Sequence, residues 1–316
     1  MSAQKLVPAL LAVKRGVPQE VLRYGEIPMP ALCIGDVLVR VEAASFTPTE
    51  LEWPSTGVDR SGREKLPVVP GHEVSGTVIG LGYGTTGLAV GDEVFGLTDW
   101  YRDGSLAEYV AVEERDLARK PATLDHVDAA AIALAGLTAW QALFVHARLE
   151  AGQQVMILGA GGGVGAIAVQ LARTGGVGVI GAGRATAREL VLELGAERFV
   201  DIENESVDVA GKVDAVFDLV GGEHLRSSVR VVRDGGTVVS AVEAITPSPA
   251  GVNAVFFVVE PDRTQLSELG GRVANGAVRA VLGQVGALRD GVDIWAAKVA
   301  GAVPGKFVLR PNHPSP

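Results

Sequence analysis

The sequence predicts an α/β fold in which a doubly wound parallel sheet is inserted into a β-rich domain formed by both ends of the chain. Three observations carry this. Short alternating segments bounded by Gly or Asp fill 33–118, strand and helix patterns then alternate up to about 275, and β texture returns to the end. At 316 residues the chain is too long for one compact core, so two domains are expected, 1–122 with 276–316 and 123–275.

Each element follows from its local pattern. "LVPALLAV" (6–13) reads as a first strand, since Pro8 and its length keep it far short of the ~20 apolar residues a membrane span needs. "DVLVRVEA", "SGTVIGLG", "GDEVFGL" and "LAEYVAV" alternate with period two and make an all-β module. "DHVDAAAIALAGLTAWQALFVHA" is helical, with Trp140 and Phe144 four apart and read as core. There follow "QQVMILG", "GAIAVQLAR", "VGVIG", "TARELVLELG", "AVFDLV", "LRSSVRVV" and "GTVVSAV", an alternation that implies a parallel sheet covered on both faces. The end of the chain contributes "VRAVLGQVGAL", the short helix "DIWAAKVAG" and the strand "GKFVLRP". A cleft between two such domains is where a ligand is expected.

Composition narrows the function. The net charge is −9 and no Lys/Arg block offsets it, which argues against nucleic acid and anionic membrane as partners. One cysteine, Cys33, excludes an intrachain disulfide and a structural zinc lobe, which needs about four thiolates, and fits a cytoplasmic protein. Glycine is abundant at 41 residues, consistent with tight turns and close backbone approach to a ligand.

The strongest local signal is "VMILGAGGGVGAIAVQLAR" (155–173), where a buried strand runs through Ala160, Gly161, Gly162, Gly163, Val164 and Gly165 into an apolar-periodic helix. The offsets are those of a Rossmann-type dinucleotide turn. The first position permits the turn, Gly162 lets the backbone approach a pyrophosphate, and Gly165 lets the helix lie close on the strand. A flexible linker is the alternative, and the flanking strand and helix argue against it. At the end of the second strand, where a carboxylate would hold a ribose hydroxyl, stand Ala182 and Gly183, followed by Arg184 and Arg188. Arginine forks bind phosphate, which favours NADP(H) over NAD. Two solvated arginines at a helix start are the alternative.

"GDVLVRVEAASFTPTE", "VVPGHEVSGTVIGLG", "VGDEVFG", "GSLAEYV", "LAGLTAWQAL", "GAGGGVG", "VFDLVGG" and "GKFVL" occur in the order seen in medium-chain dehydrogenase/reductases, and the chain most resembles the zinc-independent quinone oxidoreductase group. The resemblance spans about Leu22 to Leu309. It implies a GroES-like catalytic domain around a Rossmann domain, NADPH as donor, a quinone or enone as a small hydrophobic acceptor, and a homodimer. In the zinc alcohol dehydrogenases of this superfamily the Gly-His-Glu histidine, here His72, is one of three ligands. Thr47 and Leu134 stand at the two cysteine positions, so no metal is expected and His72 is expected as a hydrogen-bonded residue of the substrate pocket. Glu73 is the nearest alternative ligand.

The resemblance also gives Thr47 an orienting role near the nicotinamide and Thr49 the place of the proton-relay hydroxyl, although either could cap a turn. It places Thr138, Asp218, Val220, Gly221, Ala241, Val242, Phe257 and Gly305-Lys306 by the cofactor. Aromatic residues in predicted loops form three candidate clusters for the acceptor: Phe46 with Trp53, Trp100 with Tyr101, and Phe256 with Phe257. Tyr101 could donate to the acceptor oxygen. Phe256 and Phe257 could equally form a buried edge or a dimer strand. A nucleotide-binding protein without catalysis, or a zinc alcohol dehydrogenase with unusual ligands, is the rival to the reductase.

Overall fold

The computed structural model describes residues 5–247, 250–301 and 303–312. Its chain divides into two compact units, one of 1–134, 261–274 and 282–316, the other of 135–260 and 275–281.

In the first unit, antiparallel pairing joins Asp36–Ser45 to Glu73–Leu81, Tyr109–Glu113 and Lys306–Arg310. Glu93–Leu97 and Leu117–Arg119 extend the sheet on one side, and Leu282–Ala287 extends it on the other, parallel to Lys306–Arg310. The alternating segments read from sequence are these strands. Leu6–Ala12 pairs with Leu22–Pro28, a strand that the periodicity did not announce because its residues are mostly exposed. Pro8 lies within the first of these strands, and its carbonyl accepts from the amide of Glu108 at 2.9 Å. The helix Arg263–Ala274 also escaped the sequence pattern, being polar on most of its surface. Its Gly270 lies against Phe95 and Pro121, where a Cβ would stand only 3.0 Å from the ring.

The core of this unit centres on Phe46 stacked on Trp295, with ring centroids 4.1 Å apart. Trp295 comes from the helix Gly291–Val299, and its indole N–H donates to the carbonyl of Pro48 at 3.2 Å. The buried indole thus has the polar partner that its N–H requires.

In the second unit, six strands run parallel: Gln154–Leu158, Gly178–Gly183, Arg198–Asp201, Val213–Asp218, Val232–Ser240 and Asn253–Phe256. Numbered in chain order, they lie side by side as 3-2-1-4-5-6. The order reverses beside the first strand, which makes the carboxyl ends of strands one and four the switch point where doubly wound sheets bind ligands. Strand three is the element that sequence periodicity missed, four residues being too few to show a period.

The helix His126–Trp140 continues into a π-helical turn, Gln141–His146. Together these 21 residues are long and apolar enough to cross a membrane, but 78% of their most apolar window is buried in the protein, as in a core helix.

Candidate functional site

In the α/β unit, Leu158 ends the first strand and Gly159 takes a φ of +81°, so the tight turn is made one residue before Ala160, the position expected to make it. Ala160 is buried and its amide donates to the carbonyl of Ala182 at 3.1 Å. The helix Gly163–Thr174 starts at once, with Gly162 as its N-cap. The first-turn amides have no acceptor within a helix and carry the positive end of its dipole.

The glycines here do separate things. A Cβ at Gly165 would sit 2.2 Å from the carbonyl oxygen of Gly159, so this residue sets the closeness of helix to strand. At Gly161 it would meet the Cβ of Ala187 at 2.3 Å, which clears the neighbouring segment. At Gly162 it would stand 3.3 Å from the carbonyl oxygen of Gly159, a much smaller overlap than at the other two.

Arg184 follows directly on the second strand and is exposed, with Nε 3.3 Å from Glu203. Arg188 turns elsewhere: its guanidinium lies 5.0 Å over the Phe199 ring and 3.3 Å from Glu205. Of the two arginines expected at a phosphate, only Arg184 stands at the strand end. At the ends of strands four and five, Asp218 accepts from the amides of Val220 and Gly221 at 3.1 and 3.0 Å and from the hydroxyl of Ser240 at 2.7 Å. Ser240 in turn accepts from the amide of Val242. The expected residues Val220, Ala241 and Val242 are therefore held by a buried Asp–Ser bridge, of which Ser240 was not foreseen. Thr138 is buried on its helix, and Phe257 is buried with its ring 4.5 Å from that of His146. Phe256 is exposed.

In the β-rich unit, His72 is 3% exposed, and its Nδ1 shares a 2.8 Å hydrogen bond with the hydroxyl of Thr98. Its Nε2 lies 3.7 Å from Oε1 of Glu50. Burial, with the charge of Lys65 adding to it, pushes the imidazole down to about 3, so it is neutral at physiological pH. Trp53 lies nearly parallel to it at 6.2 Å, and Trp100 meets both rings edge on, at 5.6 Å from Trp53 and 5.0 Å from His72.

Glu50 is 1% exposed and accepts from the amides of Gly71 at 2.5 Å and Thr47 at 3.3 Å. Burial pushes its carboxyl up to about 7; the two amides and Lys306 counter this, and the charge of Glu73 adds to it. Glu73 itself is buried against Lys306, accepting from its ammonium and from the amide of Leu134 at 3.2 Å. Thr49 caps the turn Glu50–Glu52 through its carbonyl, which accepts from Glu52. Tyr101 is exposed beneath Arg60, whose guanidinium lies 5.4 Å over the ring.

Two expectations change. Phe46, grouped with Trp53 for the acceptor, is core: it ends the strand side of the loop and faces Trp295, and the chain turns only at Pro48. Lys306, expected to serve the cofactor, is 6% exposed and held by Glu73 and the Phe46 carbonyl, because a buried carboxylate in the same unit demands a counter-charge. Residues that sequence reading missed are Glu50 and Thr98. An acid in a Thr-Pro-Thr-Glu turn reads as solvated, and nothing local marks it as buried. His126 bonds Ser75 and Glu93; His313 lies outside the described residues.

Residues 34–122 match the family described as alcohol dehydrogenase GroES-like domain, and residues 163–249 the family described as zinc-binding dehydrogenase. The chain is similar to a 2-methylene-furan-3-one reductase of Solanum lycopersicum, 34% identical over 90% of this chain and 74% of that protein. It is 35% identical to an NADPH-dependent alkenal/one oxidoreductase, chloroplastic, of Arabidopsis thaliana, over 81% of this chain and 66% of that protein. It is 30% identical to a quinone oxidoreductase of Rattus norvegicus, over 75% of this chain and 74% of that protein. Among solved structures, the quinone oxidoreductase from Coxiella burnetii superposes with a TM-score of 0.88 at 29% identity, covering 97% of this chain and 99% of that one.

Proposed function

The chain belongs to the medium-chain dehydrogenase/reductase superfamily, in its quinone oxidoreductase-like group, and on that premise we propose that it is an enzyme that reduces quinones or α,β-unsaturated carbonyls with NADPH. The observation that carries this is the environment of His72. The zinc named in the matched family's description does not fit it: Thr47 and Leu134 supply no thiolates, Nδ1 is engaged by Thr98, and Glu73 is committed to Lys306. Among the described residues no group of three His, Cys, Asp or Glu is arranged to hold an ion. We therefore read the reaction as zinc-independent, with an acceptor whose conjugation already makes a carbon electrophilic.

The residues of the glycine turn fit a dinucleotide. Gly162, which has no side chain, and the first-turn amides of the helix Gly163–Thr174 would receive the pyrophosphate, Arg184 the 2′-phosphate, and the segment Val220 to Val242 the nicotinamide half. NADPH bound there supplies the hydride. The protein orients the acceptor through the hydroxyls of Thr47, Thr49 and Tyr101, beside the apolar cluster of Trp53, Trp100 and neutral His72. Catalysis on this reading is mostly positioning. We assign the acceptor side to the β-rich ends of the chain and the cofactor side to the inserted α/β domain. We further propose a cytoplasmic homodimer. The free, exposed Cys33 supports the compartment, and the outermost strand Asn253–Phe256, followed by exposed Val258, supports edge pairing between two copies.

Purified protein is expected to oxidise NADPH when offered 1,4-naphthoquinone or a small enone, with unchanged rate after chelation and without stoichiometric zinc in elemental analysis. NADPH binding with no turnover on any such acceptor would favour a non-catalytic nucleotide-binding protein; one zinc per chain with chelator-sensitive turnover would favour the alcohol dehydrogenase reading. Arg184→Ala is expected to raise the Kd for NADPH about tenfold, the ~1.4 kcal/mol of one charge-assisted phosphate contact, and to leave NADH within twofold. Equal losses for the two nucleotides, read by fluorescence titration, remove the 2′-phosphate assignment.

A further inference from the structure

Glu50 joins several parts of this site. Its carboxylate accepts from the amides of Thr47 and Gly71 and faces His72 Nε2 at 3.7 Å. Its own carbonyl accepts from the Thr56 hydroxyl at 2.6 Å and from the Trp53 amide at 3.1 Å. Gly71 has a φ of +88° and a Cβ there would stand 2.6 Å from Leu106, so the turn before His72 is tightly enclosed on its other side. We propose that Glu50 is the positioning residue of this site, its buried carboxylate clamping the Thr47 loop to the Gly71–His72 turn so that hydroxyl, imidazole and Trp53 ring keep one relative placement.

A solvated acid could not do this, since a carboxylate in water exchanges amide partners for solvent. Buried, it has no substitute for them. The charged or titratable groups facing it are His72, Glu73 from the strand Glu73–Leu81, and Lys306 from the strand Lys306–Arg310. His72 is neutral, Glu73 and Lys306 are paired with each other, and burial pushes the Glu50 carboxyl up to about 7. As pH falls through about 7 the carboxyl takes a proton, one oxygen becomes a donor, and the clamp on two amides is weakened.

The kinetic readout rests on the reductase reading; hydrogen exchange reads the clamp without it. In full-length Glu50→Gln, kcat with NADPH and 1,4-naphthoquinone is expected to fall about 30- to 100-fold, the scale of a small misplacement, while the KM for NADPH stays within about twofold. The wild type is expected to lose kcat as pH falls below about 7, and the variant is expected to lack that dependence. Deuterium uptake rises in segments 46–53 and 69–73 and nowhere else. Glu50→Asp, too short to reach both amides, keeps the charge and is expected to lose less activity with raised uptake in one of the two segments. The proposal is overturned if Glu50→Gln keeps kcat within about threefold with unchanged uptake, or if uptake rises throughout the unit, which marks a merely structural carboxylate. Should Glu50→Gln not fold, an Asp variant indistinguishable from wild type in kcat and uptake overturns it. Should the wild type show no turnover, the reductase reading fails, and unchanged protection of the two segments alone rejects the clamp.

Discussion

Gly165→Ala is expected to raise the Kd for NADPH at least a hundredfold and to destabilise the α/β unit at the same time. The added Cβ would lie 2.2 Å from the carbonyl oxygen of Gly159 and 2.7 Å from the Cα of Ala160. Unstrained carbon contacts stand near 3.5–4.0 Å, and both obstructing atoms are backbone of the turn itself. The helix Gly163–Thr174 must therefore move off the strand, and its first-turn amides lose their aim. Overpacking of this kind costs about 1–3 kcal/mol, and a Kd raised at least a hundredfold corresponds to about 2.7 kcal/mol more. Gly162→Ala separates the two losses. Its Cβ would stand 3.3 Å from the Gly159 carbonyl oxygen, an overlap that a shift of a few tenths of an ångström relieves, so the loss of stability is expected to be smaller while the methyl crowds the side on which the pyrophosphate is expected. Fluorescence titration and chemical denaturation on the two variants check this; Gly162→Ala binding NADPH normally would show that the nucleotide lies elsewhere.

Lys306→Met is expected to destabilise the β-rich unit by about 3–5 kcal/mol, because it leaves the Glu73 carboxylate buried without a counter-charge. Glu73 is 1% exposed and Lys306 6%, and neither can reach water without unpacking the sheet. The ammonium also donates to the Phe46 carbonyl, at the end of the loop that carries Thr47. Pairing Lys306→Met with Glu73→Gln removes the stranded charge, so the double variant should recover most of the loss in urea denaturation. A single-variant cost below about 1 kcal/mol would mean that solvent reaches the pair.

The amino-acid sequence was sufficient wherever the information was local. The strand, glycine turn and helix of 155–173 are consecutive in the chain, and the change of period near 121 and after 275 signals that an α/β segment is inserted between β-rich ends. It also placed Arg184 after a strand and Thr47 at a cysteine position. What it could not reveal are partnerships set by folding. Lys306 meets Glu73 across 233 residues, His72 meets Thr98 across 26, and Glu50 meets Gly71 across 21. Phe46 looked like a loop aromatic beside Trp53 until Trp295, from the other end of the chain, was found stacked on it. Charged side chains are solvated by default, and only the closing of the sheet around them removes the water and so dictates which of them must pair.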